Sequence, residues 1–265
     1  TEGVACRVAR GFARACGQVG PGEHAELAMT APGQEVLPIS AVRVAPDGGV
    51  EARFTARLPG RGRRIDGGRG AAILLEALPR VVEAALTAGA HAAAHGADDL
   101  ERHALVNEDA HALRAQLRPR GLVAFVADGA ILPRRSGVDE RPLEGAGVVA
   151  FESPDSLRVT LERPNAGPIQ GMGIPEGVTL VTGGGYHGKS TLLRALARGV
   201  WNHRPGDGRE WVVSDPDAVK IRAEDGRSVA GVDIGGLSGA QATERLEDSL
   251  GPAATASVGE DVLFG

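Results

Sequence analysis

The stretch Gly183-Gly184-Gly185-Tyr186-His187-Gly188-Lys189-Ser190-Thr191 restricts the folds open to this chain more than any other. Its order is G-x-x-x-x-G-K-[ST], the pattern of a phosphate-binding loop, in which glycine lets backbone N–H groups turn inward toward phosphate oxygens. Glycine alone carries little weight in a chain with 39 glycines among 265 residues. Lysine carries more. Of 29 basic residues only Lys189 and Lys220 are lysine, so arginine serves nearly everywhere and a compact point charge stands in the loop. The flanks agree with the motif. Gly177-Val178-Thr179-Leu180-Val181-Thr182 is a β-branched apolar run that predicts a buried strand. Ser190 to Arg198 carries leucines at helical spacing, and Gly199 stands where a C-terminal cap belongs. In a strand–loop–helix arrangement the helix N-terminus adds partial positive charge. Lys189 is then expected to reach the β- and γ-phosphates and Ser190 to hold Mg2+, with the whole segment from Gly183 to Thr191 as the nucleotide-binding loop. The plainer alternative is a glycine turn ahead of a surface helix.

Several function classes are disfavoured. The formal net charge of −5 provides no global attraction to nucleic acid or to an anionic membrane, though it allows a local basic patch. No run approaches the roughly 18 apolar residues of a spanning helix, and no secretory signal opens the chain. Cys6 and Cys16 are too far apart for a C-x-x-C site and suit a reduced, cytoplasmic setting, with a disulfide between them as the alternative. The absence of an initial Met and the helical texture of Val4 to Ala15 suggest a fragment or a processed N-terminus.

The fold class expected is α/β. Val36 to Leu58 reads as two strands around a turn at Pro46-Asp47-Gly48-Gly49. In the second, Val50, Ala52, Phe54, Ala56 and Leu58 are expected to face inward and the intervening polar residues outward. Helices are expected over Ala71 to Ala88, restarted at Pro79, then from Asp98 to Val106, and from Asn107 or Asp109 to about Leu117. Leu122 to Ala127, Val148 to Phe151, Leu157 to Leu161, Val178 to Val181 and Trp211 to Val213 read as strands around the helix Thr191 to Arg198. The texture changes near residue 106. The chain is therefore expected to comprise a smaller N-terminal α/β domain, 1–105, and a second domain, 106–265, that carries the phosphate loop.

Other segments offer candidate chemistry. Asp215, in Ser214-Asp215-Pro216-Asp217, ends an apolar run at a place where ligands bind in open sheets, and is a second candidate for Mg2+. The alternative is a polar turn. Leu122 to Asp128 has the form of a Walker B strand but precedes the loop instead of following it. Leu237-Ser238-Gly239-Ala240-Gln241 resembles the LSGGQ signature. Arg134-Arg135 and the loop with Arg61, Arg63, Arg64 and Arg69 are able to touch nucleotide, RNA or DNA, or simply to face solvent. His91 and His95 have the spacing of a zinc pair without a third ligand, so a surface helix face is expected there.

The runs Leu122 to Asp139, Gly171 to Val181, GGGYHGKSTLLRAL and Asp215 to Arg227 resemble the ATPases of the ABC class, a family without a transporter's membrane domain. The resemblance covers roughly residues 1–234. It implies a partial ABC-type P-loop domain behind an accessory domain, ATP and Mg2+ as cofactors, and a homodimer formed by ABC-type closure. Gly183, Gly185, Gly188, Lys189, Ser190 and Thr191 match the family's phosphate loop, the Walker A motif. Asp215, Lys220 and Arg222 match its second run, in which the role of each, and of Asp217, is open. After Ile234 the pattern departs and no Walker B strand is found, as a truncated or altered gene product would explain. The implied activity is ATP binding, with hydrolysis in the intact protein and no catalytic residue assigned. The alternatives are a nucleotide-gated nucleic-acid-binding module that uses Arg61, Arg63 and Arg64, or a P-loop small-molecule kinase.

Overall fold

The computed structural model describes residues 2–19, 26–181, 187–221 and 262–264. By compactness the chain divides into two units, Thr1–Asp109 with His203–Gly206, and Ala110–Asn202 with Asp207–Gly265. No helix among the described residues is long and apolar enough to cross a membrane.

The first unit is built on α1 (Glu2–Val19). Ala5, Val8, Ala9, Phe12, Ala15 and Cys16 recur at steps of three and four and are all buried, which makes one apolar stripe. Both cysteines are free thiols. β1 (Leu27–Ala28), β2 (Glu35–Val36) and β3 (Val42–Val44) lie along the stripe, followed in the chain by β4 (Val50–Ala52) and β5 (Thr55–Ala56). β3 and β4 form the expected hairpin, Val42 opposite Ala52. The inward alternation of the second strand holds only at Ala52 and Phe54, which pack on the core. Val50, Ala56 and Leu58 are exposed. The chain leaves the hairpin after Ala52, and Thr55–Ala56 pairs with β1 instead, which resets the faces. A small hairpin follows, β6 (Gly60–Arg61) with β7 (Arg64–Ile65).

Four helices succeed one another from residue 67. α2 (Gly67–Ala72) is capped by Asp66, whose side chain accepts from the Arg69 N–H at 3.1 Å. A π-helical turn, Ile73–Ala77, leads into α3 (Leu78–Leu86). Pro79 sits in the first turn of α3, directly after the wider π-helical turn that accommodates its missing N–H, and the backbone stays helical throughout, so the chain continues through the position of the expected restart. α4 (Ala88–His95) begins at Thr87. The expected break at Asn107 is absent, and α5 runs unbroken from Asp99 to Ala115. Neither Gly nor Pro interrupts it, and the modest helix cost of Asn107 and Asp109 is overridden because both are buried.

The second unit centres on a four-stranded sheet ordered β12-β8-β10-β9, every neighbour antiparallel. These are β8 (Leu122–Ala127), β9 (Arg158–Arg163), β10 (Gly167–Pro175) and β12 (Val212–Ser214). β8 is buried on both faces. Phe125 and Ala127 pack with Ala110 and Leu113 of α5 and with Leu117 just beyond it. Ala124 and Val126 pack with Ala195 and Leu196 of α6 (Lys189–Arg198), together with Met172, Ile174 and Val212. A helix therefore lies on each face of the sheet. β11 (Asn202–His203) follows α6, and β13 (Val219–Ile221) pairs with β14 (Val262–Phe264).

Two expected strands do not form. Val178 to Val181 lies outside any ladder, with Val178 and Leu180 exposed, because no strand among the described residues runs beside it to complete the hydrogen bonds. Val148 to Phe151 is irregular. Its one ordered end is Phe151, which exchanges backbone bonds with Gly129 and Ala130.

Candidate functional site

The loop residues Gly183, Gly184, Gly185 and Tyr186 lie outside the described residues. The description resumes at His187, and the helix end that the loop feeds is fully formed. Gly188 caps α6 with φ +83°, a left-handed backbone that glycine adopts without strain, and its carbonyl accepts from the Leu192 N–H at 2.9 Å. Lys189 is the first helical residue and is half-buried, while His187, Gly188 and Ser190 are exposed and Thr191 is half-buried. No side chain caps this end, and no acidic residue stands in the first turn. The first N–H groups of a helix lack intrahelical partners, so unsatisfied donors and the positive end of the dipole gather at this end, which suits an anion.

The other end of α6 is fastened to β12. The Gly199 N–H donates to Ala195 and Leu196 carbonyls at 2.9 and 3.0 Å. The Ser214 N–H donates to the Gly199 carbonyl at 2.9 Å, and Ser214 Oγ to the Leu196 carbonyl at 2.7 Å. The approach requires glycine, since a Cβ at position 199 would fall 2.8 Å from Ser214 Oγ. Arg114 of α5 adds three bonds, to the Ser214 carbonyl at 3.1 Å, the Gly199 carbonyl at 2.9 Å and Asn202 Oδ1 at 2.5 Å.

Asp215 follows β12 directly. Its N–H donates to the Val123 carbonyl at 2.8 Å, and its side chain is buried. Both carboxylate oxygens accept from Arg118, at 2.6 and 3.0 Å, and Oδ1 also accepts the Asp217 N–H at 2.9 Å. Arg118 reaches on to Asp217 Oδ2 at 2.5 Å. The hydrogen bond from Arg118 holds the Asp215 carboxyl below the usual carboxylate range. Lys220 lies on β13, and Arg222 lies outside the described residues.

Several of the remaining candidates make structural contacts. Asp128, in the Walker B look-alike, accepts from the Ser153 N–H at 2.6 Å and Ser153 Oγ at 3.0 Å, so it organises a loop. Arg134 bonds to the Asp207 carboxylate at 2.6 Å, and Arg135 pairs with Glu144 at 2.8 Å. In the first unit Arg69 pairs with Glu26 at 2.6 Å, while Arg63 and Arg64 are exposed. His91 is not on a surface face. It is buried, with Nε2 3.0 Å from Asp99 Oδ2, because the start of α5 places a carboxylate beside it. Among the described residues no group of three or more His, Cys, Asp or Glu is able to hold a metal ion. The Leu237 signature look-alike lies outside the described residues.

Sequence reasoning missed the arginines that organise this unit, Arg114 and Arg118, and the buried pair of Arg7 with Asp99, Nε to Oδ2 at 2.6 Å. Partners about a hundred residues apart leave no local signature. The one available hint was the Arg118-Pro119-Arg120 run ahead of a strand.

A family model for the P-loop domain of ABC ATPases matches residues 96–241, and one for the N-terminal region of ATPases of the ABC class matches residues 2–89. An uncharacterized protein of Methanocaldococcus jannaschii is 32% identical over 114 residues, covering 41% of this chain. The match spans only 25% of that relative's own length. With more than half of its length matched by the P-loop domain, behind a matching N-terminal region, the chain belongs to the ATPases of the ABC class.

Proposed function

We propose that this chain binds ATP with Mg2+ at the N-terminal end of α6, and that the intact protein hydrolyses it after two copies close over the nucleotide. One observation carries the reading: a left-handed Gly188 opens α6, with Lys189 and Ser190 next to it and no carboxylate in the first turn. That end offers unsatisfied N–H donors and the positive end of the helix dipole to phosphate oxygens, and no acidic residue stands in its first turn. Mg2+ fits as an ion carried in on the phosphates, the usual mode for a cation that keeps most of its water. Ser190 is the residue that would hold it. Asp215 is occupied by Arg118 and follows Ser214 at the C-terminal end of α6, about 13 Å of helix away from Ser190, so it is not placed to share that ion. Hydrolysis further needs a group to position water, and positioning with charge stabilisation supplies most of phosphoryl-transfer catalysis.

The test is a calorimetric titration of Mg·ATP into the chain, with phosphate release followed in the same samples. Lys189→Ala is expected to weaken binding by about tenfold or more, which corresponds to roughly 1.4 kcal/mol. Unchanged affinity would sink the assignment.

A second activity has one supporting observation. The β6–β7 register sets Arg61 opposite Arg64, and Arg63 and Arg64 are exposed. Neighbouring exposed arginines on a hairpin are able to contact a nucleic-acid backbone. On this reading RNA or DNA binds at the hairpin in a nucleotide-gated manner. Affinity should fall with added salt, less steeply once Arg61, Arg63 and Arg64 are replaced by alanine. Affinity indifferent to salt would rule it out.

A further inference from the structure

We propose that Arg114 is a positioning residue of the nucleotide site, joining α6 to the Asp215 turn so that phosphate bound at one end of the helix is felt at Asp215. The inference rests on the nucleotide reading above.

The guanidinium meets three acceptors on three segments: the C-cap carbonyl of α6 at Gly199, the last carbonyl of β12 at Ser214, and the side chain of Asn202. A cation there complements the negative end of the helix dipole. Ser214 doubles the joint through its own N–H and Oγ. The residue after Ser214 is Asp215, held by Arg118 four positions beyond Arg114. The ten-residue helix between Lys189 and Arg198 is short and hydrogen-bonded throughout. A shift at its phosphate end therefore arrives at Gly199, and from there at Ser214 and Asp215, without a flexible link between. A planar fork with fixed donors makes three such bonds at once, which a lysine ammonium on a flexible stem does not reproduce.

A half-buried arginine that only braces the fold predicts something different, so the test reads transmission rather than stability. Amide hydrogen exchange is measured on the full chain with and without Mg·ATP, for wild type, Arg114→Lys, Arg114→Ala and Lys189→Ala. In wild type, nucleotide should slow exchange in residues 189–199 and also at Ser214 and Asp217, whose N–H groups bond to Gly199 and to Asp215. In Arg114→Lys the helix should remain protected while the protection at Ser214 and Asp217 falls about fivefold, the low end of coupling between sites. Protection confined to 189–199 in wild type overturns the inference and leaves the nucleotide reading standing. So does an undiminished response at Ser214 and Asp217 in both Arg114 variants. If nucleotide protects nothing in wild type, or protects Lys189→Ala equally, the nucleotide reading fails and this inference fails with it. Should Arg114→Ala not fold, the wild-type pattern and Arg114→Lys still decide.

Discussion

Removing the Asp99 carboxylate should destabilise the first unit by several kcal/mol. Asp99 Oδ2 accepts from Arg7 Nε at 2.6 Å and lies 3.0 Å from His91 Nε2, and all three side chains are buried. Asp99→Ala leaves the Arg7 guanidinium with less than a tenth of its surface in water and no counter-charge. Breaking a buried pair from one side costs about 3–5 kcal/mol. The orphaned His91 nitrogen and the lost acid in the first turn of α5 push toward the upper half of that range. Asp99→Asn keeps the shape and one acceptor oxygen, and should cost about half as much. In Arg7→Met with Asp99→Ala no charge is stranded, so the double variant should be at least about 2 kcal/mol better than the sum of the singles. Urea unfolding followed by far-ultraviolet circular dichroism is the assay, because Trp201 and Trp211 both lie in the second unit and their emission reports on that one. With a slope of about 2 kcal/mol per molar urea, Asp99→Ala should lower the midpoint by roughly 2 M. A cost below about 1 kcal/mol, or strict additivity in the cycle, would refute the claim that this ion pair holds α1 to α5.

Three further outcomes are expected. Burial pushes the His103 imidazole down to about 4, against an unfolded value near 6.5. The folded state thus binds the proton less well, so stability is lost as pH falls from about 6.5 toward 4. His103→Asn should flatten that stretch of a stability–pH profile, and an unchanged slope would show that another group is responsible. Gly199→Ala drives a Cβ to 2.8 Å from Ser214 Oγ, so it should cost about 1–3 kcal/mol, and less in a Ser214→Ala background; equal costs in both backgrounds would count against the close approach. Burial raises both the Cys6 and Cys16 thiols, which should react slowly with a disulfide reagent at pH 8 and at once in urea. Rapid labelling of the native chain would contradict their burial.

What the sequence made legible follows from the range of the interactions involved. α1 and α6 have apolar residues at a helical period and chemistry at their ends, both written within one segment, and both were anticipated closely. β8 is a continuous apolar run of six residues and read as a buried strand for the same reason. β10, by contrast, is GPIQGMGIP, whose glycines and prolines speak against a strand. It is held by ladders to β8 and β9, and pairing overrode local preference. Val178 to Val181 is the reverse case, a run with the right residues and no partner in the described structure. The loop motif located Lys189 and Ser190, while the clasp of Arg114 and the grip of Arg118 arise from residues that meet only in the folded chain. Twenty-seven of the 29 basic residues being arginine, nothing marks those two in advance.

The place of β8 in the sheet bears on how the chain is made. β8 is hydrophobic on both faces and sits between β10 and β12, so it has no edge of its own in the finished fold. During synthesis it emerges first. β12 follows about 85 residues after Ala127, which at 5–20 residues per second is a wait of roughly 4–17 s. The β9–β10 hairpin, joined by three residues, is available sooner and can cover one side of β8. The other side stays an open, apolar strand edge until β12 and α6 arrive, a period in which a nascent chain of this design would depend on the ribosome surface or a chaperone to avoid pairing with its neighbours.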